Sequence, residues 1–276
     1  MGRLDGLSVW ITGGGTGLGR YMALEFGRQG AKVAVSGRRE GRLREVVEAL
    51  ESEGGVGMAV PCDVSDDDAI QDALAQVVDG FGALDVAVAN AGFAVGGFVE
   101  DLDREAWRHQ LEINVVSAAM TARFAIPELR KTGGRLGLVG SVSSAVYMPS
   151  NGAYQASKAA ILALGATLSA ELEPEGMSCT TLHPGFVVSE IGQVDNSGQH
   201  HPDRVDRRPA QLMWQTEDAA RVMVQALYKR RRQYTFTGHG RFATALARYA
   251  PWLVHQAGLR MARTELDKRA KKRGLG

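Results

Sequence analysis

The sequence predicts an α/β fold, a parallel sheet with helices on both faces. Three observations carry that prediction. Short apolar runs alternate with helix-length amphipathic stretches as far as residue 228. The runs are apolar throughout, as strands buried on both faces require. The first run meets the first amphipathic stretch through a glycine-rich turn, Thr12-Gly13-Gly14-Gly15-Thr16-Gly17-Leu18-Gly19. The 276 residues are 45% hydrophobic and 23% charged, an ordinary globular composition. No apolar run approaches the ~20 residues of a membrane-spanning helix.

The first strand is expected over 7–11 and the first helix after the glycines. A turn lacking Cβ atoms lets a ligand approach the backbone. The following helix then offers free N–H groups and the positive end of its dipole, a place to hold a diphosphate. A second strand over 31–36 leads to Gly37-Arg38-Arg39, and a helix over 42–53 follows, closed by Gly54-Gly55. The third strand, 56–61, leads to Asp63 and Val64. Ser65 is the expected N-cap of a helix through Val78. The fourth strand, 84–89, ends at Asn90-Ala91-Gly92, and a helix over about 105–124 carries Asn114. The fifth strand, 134–140, ends at Ser141. A helix over 154–172 and a sixth strand over 178–182 precede Pro184-Gly185. A helix over 216–228 and a last strand over 234–237 complete the pattern. No repeat or linker is visible, so 1–240 reads as one domain, followed by a basic helical extension over 241–276.

In such sheets ligands bind beyond the carboxyl ends of the strands, where the glycine turn, Arg38, Asp63, Asn90, Ser141 and Pro184 all fall. An acid beyond the second strand commonly reads a ribose 2′-hydroxyl. Here Arg38 and Arg39 stand instead, which favours a 2′-phosphate and NADP over NAD, unless both are solvated turn residues. Tyr154 and Lys158 lie four apart, on one helix face. A neighbouring cation stabilises tyrosinate, whose parent phenol has a pKa of about 10, and so makes proton exchange feasible near neutrality. Alone, such a pair is more often a helix face with a snorkelling lysine.

The combination decides otherwise. The motif from Thr12 to Gly19, Asn90-Ala91-Gly92, Asn114, Ser141, Tyr154-x-x-x-Lys158 and Pro184-Gly185 occur in one order. Over roughly residues 4–226 the chain resembles the short-chain dehydrogenase/reductase family, in its classical subfamily. The resemblance implies a Rossmann-like doubly wound sheet of seven strands, assembled as a homodimer or homotetramer. It implies Tyr154 as general acid–base, Lys158 on the nicotinamide ribose and depressing the tyrosine pKa, and Ser141 on the substrate oxygen. Asn114 would hold a water linking Lys158 to solvent. Thr12, Gly13, Gly15, Thr16, Gly17, Leu18 and Gly19 would bind the cofactor with Arg38 and Arg39. Asp63 and Val64 would meet its adenine, Asn90, Ala91 and Gly92 line the cleft, and Pro184, Gly185, Val187 and Ser189 flank the nicotinamide. The expected reaction is hydride transfer between NADP(H), with NAD(H) the lesser alternative, and a small-molecule carbonyl or secondary alcohol. The rival reading is a catalytically silent NADP-binding regulatory or scaffold protein; a binder has no need of the acid–base pair.

Substrate choice falls to a lid over 186–215, with Tyr147, Phe186 and Trp214 as candidate contacts for an apolar or bulky carbonyl. The lid's polar stretch 196–202 reads as a mobile loop, and His200 and His201 as solvated rather than metal ligands. Cys62 and Cys179 read as reduced structural thiols, with no metal expected. With the first strand so near the start of the sequence, no signal peptide and a cytoplasmic location are expected. The whole chain has a net charge of +1. From Lys229 to Arg273, 13 Lys and Arg face only Glu265 and Asp267, a net +11 that leaves about −10 for the rest. This tail is read as packing on the body or a sister subunit, with peripheral contact to an anionic membrane as the second use and nucleic acid the least favoured.

Overall fold

Each apolar run folds into a strand buried from both sides, and alternate residues of one strand feed two different cores. The structure, a computed structural model, describes residues 4–206 and 208–272. Arg273 and the rest of the basic C-terminus lie outside the described residues. The strands are β1 (Ser8–Thr12), β2 (Lys32–Gly37), β3 (Val56–Pro61), β4 (Val86–Ala89), β5 (Arg135–Val139), β6 (Ser178–His183) and β7 (Gln233–Thr235). They form one sheet in the order β3-β2-β1-β4-β5-β6-β7. Every pairing is parallel.

On one face Val9, Ile11, Val33 and Val35 pack against α1 (Gly17–Arg28), α2 (Glu40–Ser52) and α7 (Thr216–Tyr228), through Phe26, Leu43, Leu50 and Met223. On the other, Trp10, Ala34, Ala87 and Leu136 pack against α3 (Asp67–Phe81), α5 (Ser117–Thr132) and α6 (Gly152–Leu172), through Ile70, Leu129 and Ile161. Burying each such large side chain contributes roughly 1.5–3 kcal/mol. Trp10 satisfies its one polar atom by donating Nε1–H to Ser36 Oγ at 2.9 Å. Cys62 and Cys179 are buried free thiols, pushed up to about 11 and about 12 by burial.

Two elements depart most from the sequence-based expectation. The cap of α3 is Asp66, not Ser65: its carboxylate accepts from the Asp68 and Ala69 N–H groups at 2.9 and 3.3 Å. Ser65 is drawn away because Asp63 Oδ1 accepts from both its N–H and its hydroxyl. The helix expected over 105–124 is α4 (Arg104–Leu111), a π turn over Glu112–Val116 and then α5, which runs on to Thr132 through Pro127. Asn114 lies in the π turn. Beyond β7 the chain turns at once into α8 (Gly238–Tyr249) and α9 (Pro251–Lys272). No described helix is long and apolar enough to cross a membrane.

Candidate active site

β1 lies between β2 and β4, so the strand order reverses there and a crevice opens at the carboxyl ends. The glycine turn forms one wall of it. Gly13 has φ +63, and a Cβ there would lie 2.8 Å from Ala91 Cα. A Cβ on Gly19 would come within 2.3 Å of the Gly13 carbonyl and 2.5 Å of Asn90 Nδ2. Only bare backbone allows this approach. Asn90 fastens it, donating Nδ2–H to the carbonyls of Thr12 and Gly13 at 2.9 and 3.0 Å. Thr12 Oγ1 accepts from the Asn90 N–H at 3.1 Å. Gly15 faces Arg42 and Leu43 of α2, and Leu18 packs against the first core. Thr16, the N-cap of α1, makes no side-chain cap bond, and the first turn holds no acid. The helix N-terminus is therefore left for an external anion, and the cradle fits a dinucleotide diphosphate.

The end of β2 supplies the second contact region. Arg39 is half exposed and meets Glu190 of the lid at 3.4 Å. Burial raises the Asp63 carboxyl, but bonds from Ser65 and the charges of Arg38 and His109 outweigh it and hold the group low. Val64 is 8% exposed and packs in the second core, so it offers little side chain to a ligand.

The catalytic candidates converge across the crevice. Ser141 lies two residues beyond β5 and caps a single 3-10 turn, Val142–Ser144, its Oγ accepting from the Ser143 N–H at 3.1 Å. Tyr154 and Lys158 stand one turn apart on α6, with Nζ 5.7 Å from the ring centroid. Nζ also donates to the Val139 carbonyl at 2.8 Å. Asn114 Nδ2–H donates to the Phe93 carbonyl and Ser157 Oγ, both at 3.0 Å, and Oδ1 accepts from the Phe93 N–H. A Cβ on Gly92 would lie 3.0 Å from Asn114 Oδ1 and 3.8 Å from Lys158 Nζ. Gly92, Asn114, Ser141, Tyr154 and Lys158 thus share one site.

Its electrostatics differ from the simple picture of a lysine lowering a tyrosine. Burial pushes the Tyr154 phenol up, opposed by hydrogen bonding with Ser141 and by the charge of Arg208. Burial pulls Lys158 down to about 8, because its ammonium is shut away under the ring. The cation that opposes the rise at Tyr154 is in the lid.

Sequence reasoning missed Arg208. Its guanidinium grips Asp206, donates to the carbonyls of Val187 and Ser189 at 3.0 and 2.9 Å, and so ties the lid to its own base. A Cβ on Gly17 would sit 3.5 Å from Ser189 Cβ, which brings that base over the glycine turn. Val187 itself is buried in the first core, leaving its backbone at the cleft. His183 was also missed. It is 2% exposed, with Nδ1 3.1 Å from the Ser141 carbonyl and Nε2 3.2 Å from Gln233 Nε2. Nothing in its sequence neighbourhood signals this, since Gln233 lies fifty residues on.

Pro184 accepts from the Val142 N–H at 2.9 Å, and Gly185 abuts Thr237 and His239. On the rim of the cleft Tyr147 is 58% exposed, its hydroxyl donating to the Ser144 carbonyl. Phe186 stacks on His239 at 5.5 Å on the rim. Trp214 packs its ring on Phe236 and pairs its backbone with Val188, anchoring the lid. The stretch read as mobile is held by Asn196, which bonds both N–H and carbonyl of Gly96. His201 meets Asp195 at 2.7 Å and His200 meets Gln193 at 3.3 Å. No group able to hold a metal occurs among the described residues.

Known proteins are similar to this chain in sequence and fold. The short chain dehydrogenase family profile matches residues 8–200. A short chain dehydrogenase of Pseudocercospora fijiensis is 36% identical over 209 residues, 73% of this chain and 67% of that protein. A 3beta-hydroxysteroid dehydrogenase of Mediterraneibacter gnavus is 35% identical over 185 residues, 67% of each. Among solved structures, a short chain dehydrogenase/reductase of Burkholderia phymatum in complex with NAD superposes with a TM-score of 0.79 at 25% identity, over 89% of this chain and 94% of that one. A short chain dehydrogenase of Burkholderia cenocepacia in complex with NADP gives 0.75 at 28% identity, over 87% and 99%.

Proposed function

The chain belongs to the short-chain dehydrogenase/reductase family, and on that premise we propose that it interconverts a carbonyl and a secondary alcohol with NADP(H), Tyr154 serving as general acid–base. The observation that carries the proposal is the convergence of Gly92, Asn114, Ser141, Tyr154 and Lys158 opposite an uncapped helix N-terminus. A nicotinamide cofactor held by the glycine turn and Lys158 would supply or accept the hydride at the carbonyl carbon. The chain's own residues handle the oxygen and its proton. The Ser141 oxygen accepts from Ser143 while its hydroxyl bonds Tyr154, so a substrate oxygen entering beside Tyr154 would take over that hydrogen. Tyr154 gives that oxygen a proton in reduction and takes one in oxidation. Ser141 and Arg208 oppose the effect of burial on the phenol and favour the charged form that oxidation needs. Lys158 holds the ribose, and Asn114 braces the floor beneath Gly92.

Arg38 and Arg39, with no acid at the end of β2, support the 2′-phosphate of NADP over NAD. The exposed rim of Tyr147, Phe186, Val188 and Leu212 supports an apolar or bulky substrate. Family membership supports a homodimer or homotetramer as the working form, and a cytoplasmic location remains part of this reading. A silent scaffold would have no use for four catalytic groups in register.

Replacing Tyr154 with Phe tests the reading. NADPH oxidation against a panel of ketones, aldehydes, 3-oxoacyl thioesters and steroids should fall by roughly 10²–10⁴-fold, the usual share of general acid–base catalysis. Cofactor binding should persist. Retained turnover in Tyr154→Phe would remove the assignment.

A further inference from the structure

The C-terminal helices are chemically unlike the rest of the chain. From Lys229 to Thr264 the sequence carries eight Lys and Arg and no Asp or Glu. α8 starts at the catalytic wall: the Thr237 hydroxyl caps it, and a Cβ on Gly240 would come within 2.8 Å of Val142 Cγ2. α9 returns along the body, where Arg269 stacks over Phe98 at 4.0 Å and pairs with Asp101 and Glu100. Val254, Gly258, Ala262, Glu265 and Arg269 recur at helical spacing as its partly buried seam.

What faces outward is apolar. At the elbow between the two helices Tyr249 is 74%, Trp252 62% and Leu253 47% exposed. Phe242, two turns before Tyr249 on the same face of α8, is 69% exposed, and Leu259, two turns after Trp252 on the same face of α9, is 37% exposed. Arg241, Arg248, Arg260 and Arg263 are exposed among them. A monomer in water gains nothing by displaying three aromatic rings in so small a region.

The charge pattern selects the occupant. A second copy seated elbow to elbow about a two-fold axis would bring the same cations face to face with no acid between them. Nucleic acid would take the arginines but leave Trp252 and Leu253 in water. An anionic lipid surface satisfies both kinds of group, with phosphates on the arginines and Trp and Tyr at headgroup level. We propose that the α8–α9 elbow docks this protein on an anionic lipid surface. The twelve residues of α8, about 18 Å of helix, then join the docked surface to the catalytic wall.

Vesicle flotation with the full chain tests this, and it reads out binding with no dependence on turnover. The chain should float with phosphatidylcholine vesicles containing phosphatidylglycerol, weakly or not at all with phosphatidylcholine alone, and less at high salt. The Trp252→Glu/Leu253→Glu variant should lose flotation while keeping the wild-type melting temperature, since both side chains are exposed. Arg248→Gln and Arg260→Gln should each weaken binding about fivefold. Three results would overturn the proposal: no flotation with either vesicle, equal flotation of the Glu variant, or binding to duplex DNA without binding to vesicles. A Glu variant that sediments as a smaller assembly than wild type would assign the elbow to a second copy instead.

Discussion

Replacing Lys158 with Met should make the cofactor-free protein more stable and catalytically dead. Lys158 is 6% exposed, and burial holds its ammonium at about 8 against an ordinary 10.5. That gap converts to about 3 kcal/mol of stability forfeited wherever both folded and unfolded chains carry the charge, that is, below pH 8. Between pH 8 and 10.5 the folded chain has released a proton that the unfolded chain still binds, so stability recovers as pH rises. Met keeps the length of the side chain without the charge, but it strips the Val139 carbonyl of its Nζ donor, a loss of about 1–3 kcal/mol. The net gain at pH 7 is about 0–2 kcal/mol, which corresponds to a rise of up to a few degrees in Tm for a domain of this size. Thermal melts of both proteins without cofactor, from pH 7 to 10, check this. The gain should be largest at pH 7, shrink above pH 8 and turn into a loss toward pH 10.5, where only the missing Val139 bond still counts. A variant that melts below wild type at pH 7, or an advantage independent of pH, would refute the reasoning.

Removing both arginines beyond β2, Arg38→Ala/Arg39→Ala, should weaken NADPH by roughly 10–100-fold, given about 1.5–3 kcal/mol for a charged hydrogen bond, while NADH changes little. Fluorescence titration reads both, and equal weakening would dismiss the 2′-phosphate contact. His183→Asn keeps a donor at the place of Nδ1, whereas His183→Gln reaches only toward Gln233. If His183 positions the Ser141 turn, Asn should retain most of kcat and Gln should lose it at unchanged cofactor KM. Burial lowers the His183 pKa from 6.5, with the Lys158 charge adding to the effect and the bond to the Ser141 carbonyl opposing it. Below pH 6.5 the unfolded chain therefore takes up a proton that the folded chain refuses, and stability falls with pH. His183→Asn should flatten that acid limb in melts between pH 5 and 7.

The sheet was legible because burial on both faces leaves one signature, an unbroken apolar run such as Val86-Ala87-Val88-Ala89. The glycine turn, Tyr154 and Lys158 were legible because their geometry is local, within one turn or one helix face. Asp66 in place of Ser65 was not, since Asp63 competes for Ser65 through a bond that sequence spacing alone does not rank. Arg208 and His183 were hidden for a different reason. Each acts through carbonyls brought near by the lid or by a neighbouring strand, and a backbone acceptor leaves no trace in residue type. Val187 shows the converse: the motif position was found, but its side chain serves the core.

The π turn at Glu112–Val116 is the footprint of one surplus residue. A regular helix from Arg104 to Thr132 would close the same distance with one residue fewer, and its hydrogen-bond ladder would be unbroken. Deleting one position on the N-terminal side of Asn114 would thus mend the helix while swinging that side chain by about 100° around the axis. Asn114 would leave Phe93 and Ser157, and the floor beneath Gly92 would go with it. Single-residue length changes, harmless in most surface segments, are therefore forbidden in this stretch by reading frame of the helix rather than by any one side chain.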